Sequence, residues 1–141
     1  MASQRTFIYD VQGNSWTEGP SLFTPRVGHS SCVIQSDDGS DKCIIIIGGW
    51  TDQESFLKST EILDLTDQKW VQGPELAVGM QAAACVALPP SSNFACVVVG
   101  GWTKKEDCSS NVYGLDKSLM EWTLLGKIRN GRHGHIALPI S

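Results

Sequence analysis

His133 and His135 stand two residues apart near the end of the chain. A His-x-His pair on a strand puts both imidazoles on one side, an arrangement that can hold a metal ion. The chain has only one other histidine, His29, and no Asp, Glu or Cys lies close to the pair in sequence. The pair is therefore read as structural, and no metal ligand or cofactor is assigned. Five cysteines are present, with Cys32 and Cys85 separated by 53 residues and Cys43 and Cys96 by the same step. Repeated pairs could be repeated disulfides. Free Cys is, however, among the most buried of small residues, and the expectation is thiols in a reducing compartment. No Cys-x-x-Cys spacing occurs, which argues against zinc. Cys108 has no counterpart and falls in a polar loop. Asp10, Asp64 and Asp116 lack a neighbouring acid or histidine with which to work in acid–base catalysis, and read as turn residues. The remaining chemistry lies with Arg26, Arg132, Trp50 and Trp102. A guanidinium fork suits carboxylates and phosphates, and an exposed indole can anchor a binding partner.

These residues recur with a rhythm. Ile44-Ile45-Ile46-Ile47-Gly48-Gly49-Trp50 returns as Cys96-Val97-Val98-Val99-Gly100-Gly101-Trp102, 52 residues later. A run of β-branched residues without alternation reads as a strand buried on both faces. The glycine pair ends it in a backbone shape, or a space, that a Cβ would spoil. Asp10, Asp64 and Asp116 are spaced by 54 and 52 residues, as are Trp16, Trp70 and Trp122. Arg26 and His29 return two periods on as Arg132 and His135, with Gly79 and Ala82 read at the middle positions. A fixed period near 50 makes this a repeat chain.

One unit is an Arg-x-x-His start, a strand, a hydrophobic strand ending in Gly-Gly, a polar loop, a strand ending in Asp, a turn, and Trp. This pattern resembles the kelch repeat, one blade of a β-propeller, and the resemblance covers nearly the whole chain. It implies an all-β fold of four-stranded antiparallel blades. The segments expected are a half blade at 1–20, whole repeats at 21–74 and 75–126, and the first strand of a further blade at 127–141. Strands are expected at Thr6–Asp10, Gly28–Ile34, Cys43–Ile47, Thr60–Leu65, Ala82–Leu88, Ala95–Val99, Val112–Leu115 and Gly134–Ile140, with Ser36–Gly39 as a hairpin turn. Two whole blades cannot close a ring, so the chain is expected to be part of a larger propeller rather than a ring of several copies.

The resemblance also implies function. Kelch propellers mostly present a rim to a protein or peptide. The loop after Gly-Gly reaches that rim, and the matching arginines face the central binding surface. Arg26, Trp50, Trp102 and Arg132 are thus the candidate binding residues, all on one rim, with the turns at Asp37–Gly39 and Pro89–Asn93 on the other. Lys104, Lys105, Arg129 and Arg132 make the second half locally basic, which points to an acidic or phosphorylated peptide. A link to a cullin-type ubiquitin ligase would need a BTB or F-box segment, which this sequence lacks. A galactose-oxidase-like enzyme would need Tyr, His and Cys ligands. The two tyrosines, Tyr9 and Tyr113, fall on third strands, so no enzyme is expected. The modest net charge of −4 argues against a nucleic-acid partner. No apolar run reaches membrane-spanning length, and the start lacks the apolar core of a signal peptide. The expected location is the cytoplasm.

Overall fold

The structure of the chain, a computed structural model, describes residues 1–35 and 42–140. Twelve strands follow in order: β1 (Phe7–Asp10), β2 (Ser15–Glu18), β3 (Ser30–Gln35), β4 (Lys42–Ile47), β5 (Thr60–Asp64), β6 (Lys69–Gln72), β7 (Met80–Gln81), β8 (Ala84–Ala87), β9 (Phe94–Val99), β10 (Trp102–Thr103), β11 (Asn111–Asp116) and β12 (Trp122–Lys127). There is no helix among the described residues, and so none long and apolar enough to cross a membrane. The strands form two four-stranded antiparallel sheets, β3-β4-β5-β6 and β8-β9-β11-β12, plus the hairpin β1-β2. β7 and β10 make a small ladder of their own. These are two blades and half of another. The hairpin turn expected at Ser36–Gly39 lies outside the described residues.

The first blade buries its two faces in separate cores. Along β4, Ile45 and Ile47 belong to one core with Leu76, Met80, Cys96, Val98 and Leu115, which are residues of the second blade or of the chain leading into it. Ile46 belongs to a different core with Leu22, Leu63 and Trp70, and Ile44 packs against it. Alternate side chains of one strand point to opposite faces, so a strand sandwiched between layers must be apolar at every position. That is the physical reason for four isoleucines in a row. In β9 the face shared with the first blade holds Cys96 and Val98, both fully buried. Val97 and Val99, on the other face, are half-buried.

The tryptophans of the fourth strands hold adjacent units together. Trp70 Nε1 donates to the carbonyl of Pro20 at 2.8 Å, and Trp122 Nε1 donates to that of Pro74 at 3.0 Å. Trp16 lies instead against Tyr9, with ring centroids 4.9 Å apart, and is 66% exposed. The repeated aspartates cap the turns after the third strands. Asp10 Oδ1 accepts from the amide of Gln12, Asp64 Oδ1 from that of Thr66, and Asp116 Oδ1 from those of Met120 and Glu121.

Two sequence expectations need correction. Residues 135–140 form no strand. A strand at that place would need a second strand of its own blade to accept its backbone bonds, and no described residue supplies one. Second, the middle copy of the Arg-x-x-His start is shifted by one residue. Gly49 N donates to Met80 O, and Gly101 N to Arg132 O, each at 2.8 Å. Ala82 N donates to Gly28 O, and Gly134 N to Ala82 O, each at 2.7 Å. Arg26 therefore corresponds to Met80 and Arg132, and His29 to Ala83 and His135. Gly28, Ala82 and Gly134 share a left-handed backbone, with φ of 67°, 52° and 65°. A Cβ in this region is unfavourable. Ala82→Gly is expected to stabilise the chain by up to about 1 kcal/mol, read as a rise in the thermal midpoint.

Candidate functional site

The site begins where the second strand leaves each blade. Gly48 and Gly49 have φ of 62° and 104°, and Gly100 and Gly101 have φ of 69° and 97°. A Cβ on Gly48 would lie 2.3 Å from the carbonyl oxygen of Met80, and one on Gly100 would lie 2.4 Å from that of Arg132. The pairs thus seat the backbone of the next unit directly on the strand end. The following residue, Trp50 or Trp102, pairs with the segment entering strand one. Val27 and Trp50 form an isolated bridge, and Trp102 pairs with Gln81 within the β7–β10 ladder. The entering and leaving segments of each blade thus lie at one edge, as antiparallel pairing requires.

The loop after each tryptophan is built the same way twice. Thr51 Oγ1 accepts from the amides of Gln53 and Glu54, and Thr103 Oγ1 accepts from that of Glu106. Leu57 N and Ser109 N then donate back to Gly49 O and Gly101 O, each at 2.8 Å. These bonds close both loops onto the glycine pair and fix the direction in which the neighbouring indole projects. The repeated Thr51 and Thr103 show in the sequence as Gly-Gly-Trp-Thr, a signal that marks the two loops as alike.

The four candidate residues separate into different roles. Arg26 is not at the surface. Its guanidinium is fully buried, with Nη2 2.5 Å from Glu61 Oε1 and 3.2 Å from Ser59 Oγ. Nη1 donates to the carbonyls of Gly48 and Ser59 at 2.6 and 3.2 Å. Glu61 completes the cluster by accepting from the amides of Phe23 and Thr24 at 2.7 and 3.1 Å. Arg26 thus ties together the entering segment, the glycine pair and the third strand of its own blade, and it offers no group to a ligand. The sequence pattern does not reveal this burial, because the partner Glu61 lies 35 residues away on the third strand. In the second blade the same two positions hold Met80 and Tyr113, both buried in the core.

Trp50 is half-buried beside Val27. Trp102 is 41% exposed and stands in a row of rings. Phe56, from the loop of the first blade, meets it edge-on with centroids 5.7 Å apart, and His133 stacks on it at 5.9 Å. Phe56 and His133 were not singled out as binding groups in the sequence, because rings from different units come together only in the folded chain. His135 does not share this position. Its ring lies close to Gly100 with both nitrogens buried and unpartnered. The intervening Gly134 is left-handed, so the two-residue strand rule does not apply there. Burial and the positive charge of Arg132 hold the His135 imidazole below its ordinary pKa.

Arg132 is exposed, and among the described residues its side chain makes only a long Nε contact of 3.4 Å with the carbonyl of Asn130. Arg129 is exposed on the same segment. Lys104 and Lys105 are exposed in the loop after Trp102, but Glu106 and Asp107 follow them directly. Arg129 and Arg132 are the exposed cations of this segment that no acidic residue follows directly in sequence. A small cavity of about 190 Å³, lined by Met80, Thr103, Lys105, Ser109, Asn111 and Tyr113, opens beneath the same loop. A larger one, about 330 Å³, lies at the opposite edge between Ile34, Leu88, Pro89, Pro90 and Phe94. Lys117 also lines it, with its ammonium donating to the carbonyl of Pro90. Each tyrosine is engaged locally: Tyr9 with Asn14, and Tyr113 with Asn111.

A sequence model of the kelch motif matches residues 39–77, the core of the first blade. An F-box/kelch-repeat protein of Arabidopsis thaliana is 26% identical over 123 residues, covering 86% of this chain and 32% of the relative. Kelch-like protein 25 of Rattus norvegicus is 26% identical over 118 residues, covering 78% of this chain and 18% of the relative. Kelch domain-containing protein 3 of Homo sapiens is 28% identical over 115 residues, covering 77% of this chain and 27% of the relative. The chain thus spans about a third or less of the length of these relatives.

Proposed function

We propose that this chain, which belongs to the kelch-repeat family, is a non-catalytic interaction module that binds an acidic or phosphorylated peptide along the rim formed by Trp102, His133 and Arg132. The observation that carries this reading is the row Phe56–Trp102–His133. It places three rings from three successive units on one edge, with Arg132 next to the last of them. Clustered rings present a broad apolar anchor at low entropic cost, and an exposed guanidinium supplies a two-pronged donor for a carboxylate or phosphate. Trp50 extends the rim toward the first blade, while Arg26 supports it from within. Binding a peptide on this rim calls for no cofactor. The names of the relatives place F-box and kelch-like proteins in this family, and recruitment of a substrate to a cullin-type ligase, in the cytoplasm, fits such a module. That role would require a BTB or F-box segment elsewhere in the protein. Segments 1–20, 21–74, 75–126 and 127–141 would then be consecutive pieces of one propeller.

The test is a selection from a displayed peptide library on the immobilised chain. Acidic or phosphorylated sequences should be enriched. Trp102→Ala and Arg132→Ala should each weaken the selected peptides by about tenfold or more, an ordinary cost for a binding anchor. Asn93→Ala, at the opposite edge, should leave affinity unchanged; Asp38, also assigned to that edge, lies outside the described residues. Peptides lost only in variants around the cavity of Pro89, Pro90 and Phe94 would move the site to that edge.

A further inference from the structure

The strongest unassigned chemistry lies between the two blades. Cys32 on β3, Cys85 on β8 and Cys96 on β9 bring their sulfurs within 4.8 Å of one another. No disulfide joins any of the five cysteines. The register explains the meeting. Cys32 pairs with Ile45, whose side chain faces the second blade. Cys85 pairs with Val98, and Cys96 lies two residues from Val98 on the same face, the one turned to the first blade. Strand-one positions are equivalent at a step of 54, whereas the two cysteines are 53 apart. That single residue of offset turns Cys85 back toward Cys32 instead of away from it.

We propose that Cys32, Cys85 and Cys96 form a three-sulfur site for a soft monovalent cation, Cu(I), that ties the facing strands of adjacent blades together. The donor set selects the ion. Thiolate sulfur favours soft metals, and no His, Asp or Glu among the described residues joins the three. Structural zinc almost always takes four protein ligands, so three sulfurs with no fourth donor among the described residues favour a trigonal ion. A metal–sulfur bond of about 2.3 Å places three sulfurs about 4 Å apart in a trigonal plane. The observed spread, with Cys85 Sγ 3.0 Å from Cys32 Sγ and all pairs within 4.8 Å, reaches that by small side-chain shifts. Cys96 is fully buried, while Cys32 and Cys85 are only partly buried, so the ion has a way in. The S–H of Cys85 donates to Cys32 and holds the Cys32 thiol well below its ordinary pKa, while burial and hydrogen bonding hold Cys85 and Cys96 above theirs. Each Cu–S bond forms as an S–H bond breaks and its proton passes to solvent. Copper enters and remains as Cu(I), so no electron is transferred.

The test is an anaerobic titration of the reduced 141-residue chain with Cu(I) against bathocuproine disulfonate, with X-ray absorption on the loaded protein. One Cu(I) per chain is expected, with three sulfur neighbours at about 2.3 Å. Cys96→Ser should lower the affinity by at least about tenfold, with a melting curve to show that the variant is folded. Cys108→Ser should leave it unchanged. Three of the five thiols of the loaded wild-type chain should resist alkylation, a readout that needs no variant. Complete loss of copper to the chelator, fewer than three sulfur neighbours, or loss of binding in Cys108→Ser would overturn the proposal. So would a Cys32–Cys85 disulfide found in the protein as isolated.

Discussion

Arg26→Met should destabilise the chain by about 3–5 kcal/mol, the usual cost of leaving a buried charge without its partner. Methionine is the residue that the second blade places at this position, as Met80, so the side chain itself is compatible with the backbone. What fails is Glu61, whose carboxylate keeps the amides of Phe23 and Thr24 but loses its guanidinium. Adding Glu61→Gln removes the stranded charge while keeping an acceptor for one of those amides. The double variant should therefore recover at least about 1 kcal/mol of the loss, an interaction that a double-mutant cycle in denaturant reads directly. A loss below about 1 kcal/mol for Arg26→Met, with additive variants, would mean that the ion pair is dispensable.

Gly48→Ala should be nearly as costly. The new Cβ would stand 2.3 Å from the backbone oxygen of Met80, on a residue with φ of 62°. Backbone cannot swing aside as a side chain can, and that carbonyl already accepts from the amide of Gly49. The expected loss is about 2–4 kcal/mol, combining the left-handed penalty with a displaced blade contact. Gly49→Val should behave likewise, because its Cβ would meet Val27 O at 2.9 Å on a residue with φ of 104°. Gly126→Ala is the matched control. It has open space around it and lies in β12, so its melting curve should barely move. Equal effects at Gly48 and Gly126 would show that the glycine pair serves no contact between blades.

The fold was readable because its signals are local. An unbroken β-branched run demands burial on both faces, and β4 buries Ile45 and Ile46 in two different cores. Aspartate and tryptophan recurred in step because one caps the same turn and the other reaches the same proline carbonyl in successive units. The site was less readable because its partners lie far apart in sequence. Arg26 and Arg132 look alike in a one-dimensional pattern. Only the third strand of the blade decides whether such an arginine is buried, and Glu61 is 35 residues away. Met80 was misplaced by one because the units differ in length by two residues. The Phe56–Trp102–His133 row and the three-cysteine cluster arise between units. Neither spacing nor composition can report a contact that depends on how one blade is set against the next.

The chain carries five indole N–H groups that report on its surfaces separately, and they allow the most direct test. Two of them, in Trp70 and Trp122, are committed to proline carbonyls between units. A ¹H–¹⁵N spectrum of the chain titrated with a selected acidic peptide should show the Trp102 signal moving strongly and Trp50 less. Those of Trp70, Trp122 and Trp16 should stay in place. The Trp102 shift should vanish in Arg132→Ala at the same peptide concentration. Movement of Trp16 or Trp122 with Trp102 unchanged would contradict the account, because the peptide would then be bound away from the rim.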